Sequence, residues 1–180
     1  HALVRRQRQM CIRDRLRTFW SSFLLNNTLK ERSMYEYKAK VIHIVDGDTV
    51  DVDIDLGFGI WMKDERVRLM GIDTPESRTR DLVEKKFGLA SKARITELLS
   101  DNQIVLQTQV NKNGEDMKGK FGRILGDFSV YYAPQDKWMM ATEIMILEGH
   151  AVPYTGGSKE DLLEMHMANR ERLLAEGIVE

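Results

Sequence analysis

Cysteine is nearly absent: Cys11 is the only one in 180 residues, which excludes a disulfide framework and a zinc site built on cysteine. Long apolar runs are missing, so nothing in the sequence is expected to span a membrane. Internal repeats and low-complexity stretches are missing as well. So is a strong charge of one sign, because the formal net charge is −1. That balance hides unequal ends. Residues 1–33 hold eight Lys+Arg against Asp14 and Glu31, and the remainder is acidic. An acidic body argues against a nucleic-acid coating protein, which would need a broad basic surface. It is compatible with an enzyme that concentrates positive charge locally and holds a cation with carboxylates. What is present, 42% hydrophobic and 31% charged residues, suits one globular, water-soluble domain.

Residues 1–33 are expected to be a non-native or disordered extension, and residues 34–180 the folded domain. Met10-Cys11-Ile12-Arg13-Asp14-Arg15 back-translates to the end sequence of a transposon adapter used in sequencing libraries. Met34 is then the natural start. The rival reading is a signal peptide, with Arg13–Arg17 ahead of the apolar Thr18–Leu25 segment, but that segment is short and lacks a small-residue cleavage site. The expected location is therefore cytoplasmic, with secretion left open.

In the body, residues 35–45 read as a strand, and Asp46-Gly47 as a tight turn or bulge. Residues 48–56 alternate, with Val50, Val52, Ile54 and Leu56 on one face and Thr49, Asp51, Asp53 and Asp55 on the other. The latter acids read as a solvated face. A third strand is expected over about 60–72, interrupted near Lys63-Asp64-Glu65 and ended by Asp73. A charged loop follows from Pro75 to Glu84. Helical spacing covers 88–100 (Leu89, Ala93, Ile95, Leu98, Leu99), 141–149 and 159–176, and strands cover 104–110 and 121–132. Meandering, strongly twisted strands point to a small barrel.

Three runs carry the chemistry: Asp46-Gly47-Asp48-Thr49, Arg68-Leu69-Met70-Gly71-Ile72-Asp73-Thr74-Pro75-Glu76 and Lys120-Phe121-Gly122-Arg123. Asp48 has the parity of the apolar face, and a buried unpaired carboxylate is costly, so something positive should stand beside it. If Asp73 lies on a neighbouring strand, both acids can reach one cation. Ca²⁺ suits such oxygen donors and accepts backbone carbonyls, for example that of Thr74. The alternative is an Asp48–Arg ion pair with no metal. Arg68 and Arg123 suit phosphate, because a guanidinium donates two parallel hydrogen bonds; Arg123 taken alone would be read as a surface arginine. Glu76, on a loop stiffened by Pro75, can orient or deprotonate a water; the alternative is a carboxylate at a helix start. His43, His150 and His166 have no metal-site or triad spacing, and core or surface roles are expected for them.

Together these runs, in this order and at this spacing, resemble the staphylococcal nuclease (thermonuclease) family over about residues 38–175. Val83-Glu84-Lys85 and Gly88-Leu89-Ala90-Ser91 also resemble the family's approach to its first helix. The resemblance implies an α+β fold, a five-stranded OB-type β-barrel with three helices. It implies a nuclease that hydrolyses DNA or RNA with Ca²⁺ and little sequence preference, leaving 3′-phosphate ends; a monomer is expected. It assigns Asp48, Asp73 and the Thr74 carbonyl to the metal, Asp46 to its outer shell, Glu76 to the general base, Arg68 and Arg123 to the phosphate, and Lys120 to a terminal phosphate. Phe121 stands where the family usually has tyrosine. The tyrosine pair that packs on a base is reduced to Tyr154, so base stacking, worth about 1–3 kcal/mol, is altered. The competing expectation is a catalytically inactive OB-type module that binds nucleic acid or protein.

Overall fold

A computed structural model describes residues 34–100, 104–110, 115, 118–119, 122–154 and 159–179. The expected N-terminal extension, and with it the domain boundary near residue 34, lies outside these residues. So do Lys120 and Phe121. Strands β1 (Met34–Asp46), β2 (Thr49–Asp55) and β3 (Trp61–Leu69) form an antiparallel meander. A two-residue strand β4 (Ile72–Asp73) follows, then helix α1 (Leu82–Leu98). Next come β5 (Ile104–Gln109), β6 (Ile124–Tyr132) and β7 (Lys137–Met140), then helix α2 (Ala141–Leu147). A short β8 (Val152–Pro153) and helix α3 (Lys159–Ala175) end the described chain.

The thirteen-residue β1 bends far enough to serve two neighbours, pairing with β2 through Lys38–Asp46 and with β5 through Met34–Ala39. β5 pairs with β6, and β6 returns to β3 in parallel, Val67 opposite Ile124 and Arg68 opposite Leu125. β1, β2, β3, β5 and β6 therefore close into a mixed five-stranded barrel with three helices, the α+β OB-type architecture expected. Closure pairs the ends of β3 and β6 that would otherwise be free edges. The interior is filled by alternate residues, including Val50, Val52, Val67, Leu69, Leu106 and Phe128, all buried.

Several elements differ from the sequence reading. Asp51 and Asp53 lie on the outer face, as their parity requires, yet they are covered rather than solvated. Asp51 takes a forked pair of bonds from Arg66, 2.7 and 2.9 Å, across the β2–β3 ladder. Between Val52 and Ile54 the register shifts, so Lys63 and Asp64 together face Asp53. Asp53 accepts from Lys63 Nζ at 2.7 Å and from the Asp64 amide at 3.1 Å. The expected interruption in the third strand is thus a bulge pinned by an acid. Asp73 does not end β3. A turn at Met70-Gly71 separates β3 from β4, and β4 pairs with β8 instead of β2.

α1 begins six residues earlier than its apolar spacing indicates, because Asp81 caps it by accepting from the Val83 and Glu84 amides. Its buried stripe is Phe87, Gly88, Ser91 and Ile95, while Leu89 is exposed. Two small residues in that stripe let the helix sit close to the barrel, and small residues are invisible to a count of apolar positions. On α3, Leu163, Met167 and Leu174 are likewise exposed and Leu173 is buried. β6 begins at Ile124, three residues later than expected.

Candidate active site

Two glycines set how closely the site's segments approach. A Cβ on Gly47, in the link between β1 and β2, would stand 2.9 Å from Ser91 Cβ and 3.0 Å from Thr74 Oγ1. A Cβ on Gly88 of α1 would stand 2.5 Å from the carbonyl carbon of Glu76. Absence of side chains at these points lets the Asp46–Asp48 link and the Asp73–Ser77 segment meet over the start of α1. Asp46 ties the two together, its Oδ1 accepting from the Gly47 amide at 3.0 Å and the Ser77 amide at 3.3 Å.

The parallel β3–β6 closure adds the remaining pieces. Arg68 lies beside Leu125, and Arg123 precedes the first paired residue of β6. The result is a cleft of about 580 Å³. Asp46, Asp48, Asp73 and Glu76 line it, together with Arg66, Arg68, Arg78 and Arg123. Six of the expected site residues therefore share one cleft. Thr74 is buried directly after Asp73. Tyr154 is outside the lining; its amide donates to the Gly71 carbonyl at 2.8 Å and its side chain is largely exposed.

Two of the cleft acids, Asp48 and Glu76, are buried enough to hold their protons more tightly than usual. Burial pushes the Asp48 carboxyl above the usual carboxylate range, and Asp46 and Asp73 add to the rise against the pull of Arg68 and Thr49. Burial likewise raises Glu76, reinforced by the charge of Asp46, a hydrogen bond shared with it, and the charges of Asp48 and Asp73. Arg68 answers part of this. It forms an ion pair with Asp48, stands 3.8 Å from Asp73 Oδ1, and donates to the Asp48 and Ile72 carbonyls at 3.3 and 3.4 Å. The positive partner demanded by Asp48 is thus Arg68, one of the two alternatives left open by parity.

As the side chains lie, the described residues present no ready cluster of three acids or imidazoles around a common point. Arg68 bridges the two acids expected to share a cation. The donor chemistry of the lining acids nevertheless fits a hard cation: carboxylate oxygens, two of them on acids raised by burial and by neighbouring carboxylates. A divalent ion would add counter-charge to that which Arg68 gives Asp48.

Sequence spacing missed three contributors. Arg66 and Arg78 line the cleft, and His166 Nε2 of α3 stands 3.0 Å from Asp73 Oδ2. Arg66 could have been found from its same-face parity with Arg68. Nothing in the spacing connects His166 to a residue 93 positions away.

Fold and cleft together define an α+β protein of the OB-type barrel class, with acids and guanidiniums facing each other at one side of the barrel. Sequence comparison narrows the class. The model of the staphylococcal nuclease homologue family matches residues 66–173, and the chain belongs to that family. The match includes Arg68, Asp73, Glu76 and Arg123. The chain is 30% identical over 142 residues to the micrococcal nuclease of Shigella flexneri, an alignment covering 76% of this chain and 69% of the relative. It is also 30% identical over 121 residues to the thermonuclease of Staphylococcus intermedius, covering 57% of this chain and 66% of that one.

Proposed function

We propose that this protein is a nuclease that hydrolyses phosphodiesters of DNA or RNA with Ca²⁺, with little sequence preference, leaving 3′-phosphate ends. Membership of the nuclease homologue family supports the activity. The observation that carries the reading is the convergence of Asp46, Asp48, Asp73 and Glu76 with Arg68 and Arg123 on one cleft.

In this reading Asp48, Asp73 and the Thr74 carbonyl hold the calcium ion, and Asp46 orders the loop behind them. When bound, the ion offsets negative charge on the substrate phosphate. Glu76 takes the proton from the attacking water, helped by the burial and neighbouring charges that raise its affinity for protons. The water oxygen bonds to phosphorus, the P–O5′ bond breaks, and its electron pair leaves on O5′, which takes a proton from solvent. Arg68 and Arg123 donate to the phosphate oxygens as their charge grows. The substrate phosphate must therefore compete with Asp48 for the Arg68 guanidinium. Arg66 and Arg78 extend the positive side of the cleft toward neighbouring phosphates. The altered Phe121 and Tyr154 positions bear on substrate affinity rather than on the bond-breaking step.

The Asp48–Arg68 pair favours a second reading, a binding module in which this bridge is permanent and no cleavage occurs. A plasmid-nicking assay separates the two. Nicking with Ca²⁺ that stops in EDTA is the expected result. Cutting that persists in EDTA rejects the metal requirement, and no cutting with any divalent cation selects the binding module.

A further inference from the structure

Helix α3 contributes a side chain that meets Asp73 of the cleft. His166, with its side chain only 12% exposed, places Nε2 3.0 Å from Asp73 Oδ2. A carboxylate oxygen accepts, so the imidazole donates, and this requires its proton on Nε2. The other Asp73 oxygen, Oδ1, is the one facing Arg68. The contact does not depend on His166 to hold α3 in place. One turn further along, Asn169 Nδ2 donates to the Ala151 carbonyl at 3.1 Å, and Arg172 Nη1 donates to the Leu147 carbonyl at 2.9 Å. Asp73 itself is paired through β4 to Val152 of β8, next to the Asn169 anchor. His166 is thus delivered to Asp73 by a scaffold fixed on other bonds, and its own bond is left to orient one carboxylate.

We propose that His166 is a positioning residue for Asp73: by donating from Nε2 to Oδ2 it fixes the carboxylate with Oδ1 on the Arg68 side, where that oxygen would be offered to a cation. The inference rests on the cation-holding role given to Asp73 above. Donors behind a metal-binding group, which orient it without touching the ion, typically change metal affinity by about 10–100-fold.

The test is calorimetric titration of Ca²⁺ into the full chain, without substrate, for wild type, His166→Ala, His166→Asn and His166→Gln, alongside metal-free thermal unfolding. Nitrogen shifts of the imidazole report its tautomer in the metal-free protein. The expected outcome is an Nε2-protonated imidazole, a Ca²⁺ affinity about 10–100-fold weaker in Ala and Asn, and recovery of most of it in Gln, whose amide can reach and donate. If Ala fails to fold, Asn carries the comparison, because its shorter amide does not reach. A folded Ala or Asn variant with wild-type Ca²⁺ affinity overturns the positioning role. Gln no better than Asn overturns the donated bond, as does an Nε2 that carries no proton. Failure of the wild type to bind Ca²⁺ overturns the cation-site reading and this inference with it, whereas normal binding in wild type and variants alike overturns the inference alone.

Discussion

In the cleft beside Asp48, burial, reinforced by neighbouring carboxylates, raises the proton affinities of Asp48 and Glu76. A second cavity of about 380 Å³, where α1, the end of α2 and the end of α3 approach, is lined by the same residue types with the opposite outcome. There Arg94 donates to both oxygens of Glu148, at 2.5 and 2.8 Å, and to Glu97 at 2.6 Å, while Arg172 meets Glu176 at 2.8 Å. Burial pushes Glu148 upward, but the bonds and charge of Arg94, with Tyr132 donating to it at 3.1 Å, more than offset this and hold it below its usual range. Ionisable side chains in a cavity therefore do not by themselves mark a catalytic centre. What distinguishes the Asp48 cleft is that Asp48 and Glu76 are held above their usual range, chiefly by burial, a state that costs stability and that a cation or a reacting proton can relieve.

Variants can break or sharpen this contrast. Glu76→Gln is expected to lower turnover most, by about 10²–10⁴-fold, while leaving nucleotide binding largely intact. It should also raise the metal-free melting temperature at neutral pH, because it removes a carboxylate that burial, and then its acidic neighbours, disfavour in the charged form. Equal losses of binding and turnover, read by calorimetry and steady-state rates, would contradict a base. Arg123→Lys should lose about 10²–10³-fold, nearly as much as Arg123→Ala, since a point charge lacks the fork. Near-normal activity of the lysine variant counts against phosphate clamping.

Glu148→Gln should do the reverse of Glu76→Gln, costing about 1.5–3 kcal/mol of stability in denaturant unfolding with kcat unchanged in the folded protein. A lost kcat at unchanged stability would erase the distinction between the two cavities. Smaller still, Gly88→Ala should cost about 1–3 kcal/mol by pressing on the Glu76 carbonyl, and it should lower kcat as well.

The two cavities also pull the pH dependence of stability in opposite directions. The Glu148 contribution is full above its unfolded value of about 4.3 and is lost as pH falls through its depressed folded value. Glu76 has a raised folded value, so it favours the folded state at low pH and its burden grows as pH rises through that value. Unfolding midpoints across acidic pH should fall on acidification less steeply in Glu148→Gln than in wild type. Glu76→Gln should instead remove a decline on the way to neutrality.

Much of this was legible in the chain. Alternation in β2, the three acid-and-arginine runs and their order yielded the barrel and six cleft residues. The errors have identifiable causes. The α1 boundary was misplaced because its buried face uses Gly88 and Ser91, which carry no apolar signal. Asp51 and Asp53 look solvated in the sequence because parity reports the face of a strand, not the Arg66 and Lys63 side chains that fold over it. Asp73 was put on β3 because the Met70-Gly71 turn is short enough to hide inside an apolar run.

Local sequence determined which faces are apolar, where the turns fall and which side chains can hold oxygen-seeking cations or phosphate, because these depend on residues a few positions apart. Tertiary closure decided the rest. Only the parallel β3–β6 contact brings Arg68 and Arg123 to one cleft, only the docking of α3 takes His166 to Asp73, and only the sharing of limited space gives Arg68 to Asp48. Charge and hydrogen bonding act through distance, and for residues far apart in the chain that distance exists only once the barrel has closed.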